Sequence, residues 1–104
     1  MAWPVMVADR MAQDTSHEAQ ARIVNQRGLH ARAAARFVTV AEKFDATVDV
    51  IHVDMTVSGH SIMGLMMLGA GRGETICIRT QGPQGPQALS ALLRLVRAGF
   101  DEDD

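Results

Sequence analysis

Between residues 31 and 44 the apolar positions Ala34, Phe37, Val38, Ala41 and Phe44 recur at steps of three and four. That spacing predicts a helix of three to four turns with one buried stripe, leaving Arg36, Thr39 and Lys43 on the opposite face. Near the C-terminus, Leu89, Leu92, Leu93, Val96 and Phe100 repeat the pattern; Pro86 suits the first turn of that helix and Gly99 marks its end. A third, shorter helix is expected in "SIMGLMMLG": Ser61 is a good N-cap, Ile62, Leu65, Met66 and Gly69 share a face, and Gly64 and Gly69 keep it short.

Elsewhere the period falls to two. "ATVDVIHV" puts Val48 and Val50 on one side of a strand and Thr47, Asp49 and Ile51 on the other, and "MTVSG" supplies a short partner ending at Gly59. "ETICIRT" alternates around Ile76 and Ile78, while Ala21 and Ile23 alternate with Arg22 in "QARIVN", residues 20 to 25. The order is strand, helix, strand, strand, helix, strand, helix. A four-stranded sheet with helices over one face is the economical way to bury these stripes, so the fold class is α+β. Residues 1 to 19 show no sustained period and are expected to be a flexible extension, with Met6 or Met11 as possible true starts.

A chain of 104 residues suits one domain with a modest core, and its chemistry should lie near the surface. With one Trp, no Tyr and seven Met, that core must be aliphatic and Met-rich. The single cysteine, Cys77, excludes an internal disulfide and is expected to be a buried strand residue in a reducing compartment. The net charge is -2, but "DEDD" at residues 101 to 104 supplies four of the acids, and the body carries 10 basic against 8 acidic residues. So mild a surplus argues against nucleic-acid binding. No apolar run approaches the roughly 20 residues of a membrane span, and the first residues do not form a secretory signal. A cytoplasmic location is therefore expected. Without CxxC, HExxH or an acidic cluster there is no support for a metal, and no cofactor is expected.

The candidate chemistry lies in "NQRGLHARAAARFV", residues 25 to 38. A helix that opens on His30 forgoes the usual capping oxygen, so the imidazole should serve another purpose. Placed after Gly28, the ring would stand beside free backbone amides and the positive end of the helix dipole, a setting that welcomes phosphate. Arg32 can add a planar, permanently charged donor fork, and Arg27 lies close by. Nothing suggests a general base, a metal cluster or a Walker-type loop. Such a site suits a residue that accepts a phosphoryl group and hands it on, although most histidines at helix ends are solvent-exposed bystanders.

"GLHARAAARFV" resembles the active-site signature of the HPr family, the histidine phosphocarriers of the bacterial phosphoenolpyruvate-dependent phosphotransferase system, and "SIMGLMMLGAGRGETICI" is similar to its second signature. The resemblance covers roughly residues 20 to 100, which leaves 101 to 104 as an acidic tail with no role beyond solvation. It implies an open-faced sandwich in which three helices cover one face of a four-stranded antiparallel sheet (βαββαβα). His30 would be the transient phosphohistidine, loaded on Nδ1 by enzyme I and unloaded onto a IIA-type protein. Arg32 would neutralise the phosphoryl group, and the amides at Ala31 and Arg32, with Arg27 near, would bind it.

By the same resemblance Ser61 matches a serine phosphorylated by an HPr kinase/phosphorylase in proteins regulated that way. Ile62, Met63, Met66 and Met67 form the expected docking patch, since a helix so short cannot bury all four and flexible Met side chains suit partners of different shape. Ala33 stands where the family commonly carries Pro, and Thr39, Glu42 and Gly64 stand where it often carries basic residues. The sugar and nitrogen-related branches therefore both stay open. A monomer is expected, acting as a substrate of other enzymes. The alternative is a regulatory binding module controlled mainly by phosphorylation of Ser61. His52 and His60 are expected to be structural or exposed.

Overall fold

The computed structural model describes residues 15 to 102. Four strands, β1 (Ser16–Arg22), β2 (Thr47–His52), β3 (Met55–Ser58) and β4 (Thr75–Gln81), alternate with three helices, α1 (Ala31–Ala41), α2 (Ile62–Met67) and α3 (Gly85–Arg97). The sheet runs β1-β4-β2-β3 and every pairing is antiparallel. Because β1 and β2 both flank β4, the chain crosses over the sheet twice, and α1 and α2 lie in those crossings while α3 returns along the same face. The four-stranded sheet with helices over one face is what the alternation of periods led one to expect, and its antiparallel open-faced form is what the family resemblance implied.

The inward face carries Ala21, Val48, Val50, Ile76, Ile78 and Thr80, all buried. The apolar ones join one core cluster with Ala34, Phe37 and Ala41 of α1, Leu65 of α2, and Leu92 and Val96 of α3. Thr80 satisfies its hydroxyl on the Gly85 carbonyl at 2.7 Å. Strand register sets the other face. Glu18 and Asp49 both pair with Arg79, and Gln20 and Ile51 both pair with Cys77, so polar side chains cross the uncovered side. Arg79 lies 3.6 Å from Asp49 there, with both groups well exposed, which makes the pair worth little. Cys77 belongs to this open face and is half-buried rather than buried. Its thiol is pushed up from the ordinary value by desolvation and then by the charge of Glu18, so it is a poor nucleophile.

Several boundaries differ from the sequence expectation. The first strand is Ser16–Arg22 rather than 20 to 25, because its inward positions His17, Ala19 and Ala21 include small and polar side chains that hide the alternation. The expected extension thus loses its last four residues to β1; residues 1 to 14 lie outside the described residues. Phe44 follows α1 in a turn that returns its amide to the Ala41 carbonyl at 3.3 Å. Phe100 is fully buried as expected but outside α3, in a 3-10 turn (Gly99–Asp101) where its φ is 57°.

One close approach fixes the start of α1 against its neighbours. Gly28 has φ +64°, and a Cβ there would stand 2.5 Å from the Ala70 carbonyl oxygen and 2.8 Å from the Gly71 Cα. Only a glycine lets the turn before α1 lie against the loop after α2, where the Leu29 amide also bonds the Ala70 carbonyl at 3.1 Å. Gly28→Ala should therefore lower unfolding stability by about 2 kcal/mol or more, from left-handed strain and steric displacement together. Urea unfolding of the variant beside the parent protein measures it, and an unchanged midpoint would contradict this account.

Candidate phosphoryl-transfer site

His30 occupies the N-cap of α1 with extended backbone (φ -79°, ψ -179°) and makes no side-chain capping bond. Its carbonyl accepts the Ala34 amide at 2.8 Å, and its own amide turns back to the Gly28 carbonyl at 2.9 Å. The amides of Ala31, Arg32 and Ala33 thus remain at the free end of the helix, as in any helix whose first turn lacks a cap. Ala33 and Ala34 are completely buried, so α1 is clamped from its first turn and the helix end cannot swing. Arg27 and Arg32 flank His30 and are both exposed, which places two cations at the edge of a site backed by a buried helical turn.

The ring of His30 is held. Nε2 lies 2.5 Å from Oε2 of Glu102, and the other carboxylate oxygen, Oε1, accepts Asn25 Nδ2 at 2.9 Å. Asn25 Nδ2 also donates to the Gly28 carbonyl at 2.8 Å. Asn25 is 3% exposed, so its amide ties the turn before His30 to the far end of the chain from inside the protein. Arg36 fixes that end from α1, donating from Nη1 to the Phe100 carbonyl at 2.6 Å. Sequence reasoning missed both Glu102 and Asn25. The expectation that Glu102 belongs to an acidic tail with no role beyond solvation is corrected by its contact with His30 across 72 positions of sequence. No local signal could have found it, because only the end of α3 carries it back.

Ser61 caps α2 as its type predicts, with Oγ accepting the Gly64 amide at 2.9 Å. Gly64 is confined: a Cβ would meet Val57 Cβ and Ser61 Oγ, each at 3.2 Å, so a long basic side chain at this position would crowd the cap. Only Leu65 of α2 is buried. Ile62, Met63, Met66 and Met67 are 42%, 70%, 42% and 66% exposed, so the helix shares its apolar side chains between one core contact and an open patch. His52 and His60 serve the fold. His52 pairs through Nε2 with Glu74 at 2.6 Å and lies 3.1 Å through Nδ1 from the Leu68 carbonyl, while His60 Nε2 lies 3.2 Å from the Ala46 carbonyl. Among the described residues, no three His, Cys, Asp or Glu side chains gather as a metal site would require, and no helix is long and apolar enough to cross a membrane.

The fold is thus a small α+β domain with a histidine held at the uncapped start of its first helix. The family model described as the PTS HPr component phosphorylation site matches residues 17–98, and the chain belongs to this HPr family of phosphocarriers of the phosphotransferase system. It is 46% identical to phosphocarrier protein HPr of Pseudomonas aeruginosa over 79% of this chain and 92% of that one. It is 41% identical to phosphocarrier protein NPr of Shewanella violacea over 85% of this chain and 97% of that one. Among solved structures, HPr of Thermoanaerobacter tengcongensis superposes with a TM-score of 0.80 at 36% identity, covering 85% of this chain and 99% of that one.

The buried amide of Asn25 gives the site a measurable dependence. Asn25→Ala removes two donated hydrogen bonds, one to a charged acceptor, and should cost about 1–3 kcal/mol of unfolding stability. It should also release the segment after α3, seen as faster amide exchange at Phe100 and Glu102. Full stability with unchanged exchange would show that the tether carries no weight.

Proposed function

We propose that this chain takes a phosphoryl group from phospho-enzyme I on Nδ1 of His30 and delivers it to a IIA-type protein. The observation that carries this reading is the tethered imidazole at an uncapped helix end. With Nε2 committed to a carboxylate, Nδ1 is the ring nitrogen left for chemistry, and a phosphate on it would sit at the end of α1 where unpaired amides and the dipole favour negative charge. Arg32, exposed and two residues on, supplies the neutralising fork, and Arg27 adds a second cation. In each half-reaction the bond between phosphorus and its donor atom breaks as the bond to the acceptor atom forms. The protein provides position and electrostatics rather than an acid or base.

Docking is assigned to the exposed apolar side chains of α2. Ile62, Met63, Met66 and Met67 make a flexible apolar surface, suited to a donor and then to an acceptor of different shape. The loop that ends α2 backs directly on the Gly28 turn before His30, so a partner seated on α2 lies beside the reactive ring. Ser61 is read as a second modification site, for a kinase of the HPr kinase/phosphorylase type. A phosphate at this N-cap would be tolerated by the helix while placing about two negative charges beside the docking patch. No membrane insertion or nucleic acid enters this scheme.

Incubation with phosphoenolpyruvate and enzyme I, from the sugar and from the nitrogen-related branch, tests the relay by intact mass. One acid-labile phosphate is expected on the parent protein and none on His30→Ala; a folded parent protein that takes none from either donor would overturn the reading. The faster donor identifies the branch. For Ser61, loss of the cap in Ser61→Ala should lower stability by about 1 kcal/mol, whereas Ser61→Asp, which keeps a capping oxygen, should stay near the parent value and slow transfer from enzyme I. Equal transfer rates for Ser61→Asp and the parent would remove the regulatory assignment.

A further inference from the structure

α1 lies between the other two helices: α2 packs against β3, α3 covers β1 and β4, and α1 packs against both. On the α3 side of α1 two open hollows of about 290 Å³ each adjoin, sharing Val40, Leu95 and Asp101. The stripes that build the core do not account for this groove. Ala34, Phe37, Val38 and Ala41 of α1 and Leu92 and Val96 of α3 are buried beneath it, whereas Val40 and Leu95 stand outside those stripes, half-buried, and rest on the core from above. Ala91, Leu95 and Ala98, four and three positions apart, make a second apolar stripe along α3 and its end. Cations edge this floor. Arg36 and Lys43, seven positions apart, line it from α1, and Arg94 lines it from α3. Arg97 follows in a further hollow that shares Arg94 and Ala98. All four are exposed, and among the described residues none forms a salt bridge. Arg36 gives one N–H to the Phe100 carbonyl, which leaves most of its five-donor fork. Asp101 is the only acid among the lining residues.

We propose that this groove binds a short acidic amphipathic helix of a partner protein, whose apolar stripe lies on Val40, Ala91 and Leu95 and whose carboxylates face Arg36 and Lys43 on one edge and Arg94 and Arg97 on the other. The layout of charge sets the match. Cations that converge on one point hold a small anion, but these stand apart on two edges with an apolar floor between them. A nucleic-acid strand would have to lay phosphates along that floor. A helix of about three turns, the length of α1 at 1.5 Å per residue, presents the complement: apolar residues in the middle and acids on both flanks. Four unpaired cations on one face of a chain whose net charge is -2 also steer an acidic partner to this face in preference to the others. Because α1 separates the groove from α2, the bound helix leaves Ile62, Met63, Met66 and Met67 uncovered. The proposal does not depend on the acceptor role of His30.

The test titrates the full 15N-labelled chain with a synthetic helical peptide of about 14 residues, carrying leucines at i, i+4, i+7 and i+11 with glutamates on both flanks. The same peptide with lysine in place of glutamate is the control. Amide shifts should move at Val40, Phe44, Ala91 and Leu95 and stay at Met63 and Met67, with half-saturation at about tens of micromolar in low salt. The lysine peptide should leave the spectrum unchanged, and salt at about 0.5 M should weaken the acidic peptide several-fold. The double variant Lys43→Glu, Arg94→Glu should bind it at least about tenfold more weakly. Both side chains are exposed, so its melting temperature should stay near the parent value. No shift up to about 1 mM peptide, equal binding of both peptides, shifts centred on α2, or parental affinity in the folded double variant would each overturn the proposal. Sedimentation of the parent protein covers the other occupant: a dimer that the double variant disperses would assign the groove to a second copy of this chain and overturn the acidic partner.

Discussion

The backbone contact between Gly28 and the Ala70–Gly71 segment governs the rest of the site. It brings the turn before α1 against the loop after α2, so that the His30 end of α1 and the exposed apolar helix form one corner of the molecule. Neither segment has regular structure to hold it. The join is made by a missing side chain and one amide bond to Ala70, which is why the position tolerates only glycine. From this join α1 runs inward, burying Ala33 and Ala34 at once, and His30 inherits the rigidity of that first turn.

A second tie completes the corner from the other side. The buried amide of Asn25 reaches the carbonyl of Gly28 and the carboxylate of Glu102, so the start of the first crossing and the end of the last helix meet at one side chain. Exposed and anchored groups are divided accordingly. The imidazole is held by groups that are themselves held, whereas Arg27 and Arg32 and the methionines of α2 lie exposed around it. Under the proposed relay, in which His30 meets a donor and then an acceptor, that division would supply a fixed reacting atom and a rim that can adapt.

Much of the fold was legible in the pattern. The 3.6-residue stripes of α1 and α3 and the alternation in β2 and β4 are strong because each element buries one face against one large core. β1 is displaced from its expected place because an edge strand of small and polar residues has little alternation to show, and Phe100 reads as part of α3 because a buried aromatic at the right step looks helical whatever its φ. At the site, His30, Arg32 and Ser61 were visible as residue types that local rules leave unexplained or explain well. Glu102 and Asn25 were not, since a glutamate in an acidic run and an asparagine after a strand are ordinary in isolation.

By itself, then, the sequence determined the order of strands and helices, the face that α1, α3, β2 and β4 bury, and the presence of a histidine where a capping residue belongs. Those properties depend on neighbours three or four residues away, and local sterics and periodicity suffice to state them. Tertiary structure alone decided which nitrogen of that histidine is engaged and by what. The deciding carboxylate lies 72 residues away and reaches the ring only through the sheet crossing, the length of α3 and a left-handed turn closed on a buried phenylalanine. Contacts that depend on so many packed elements at once leave no trace in local spacing.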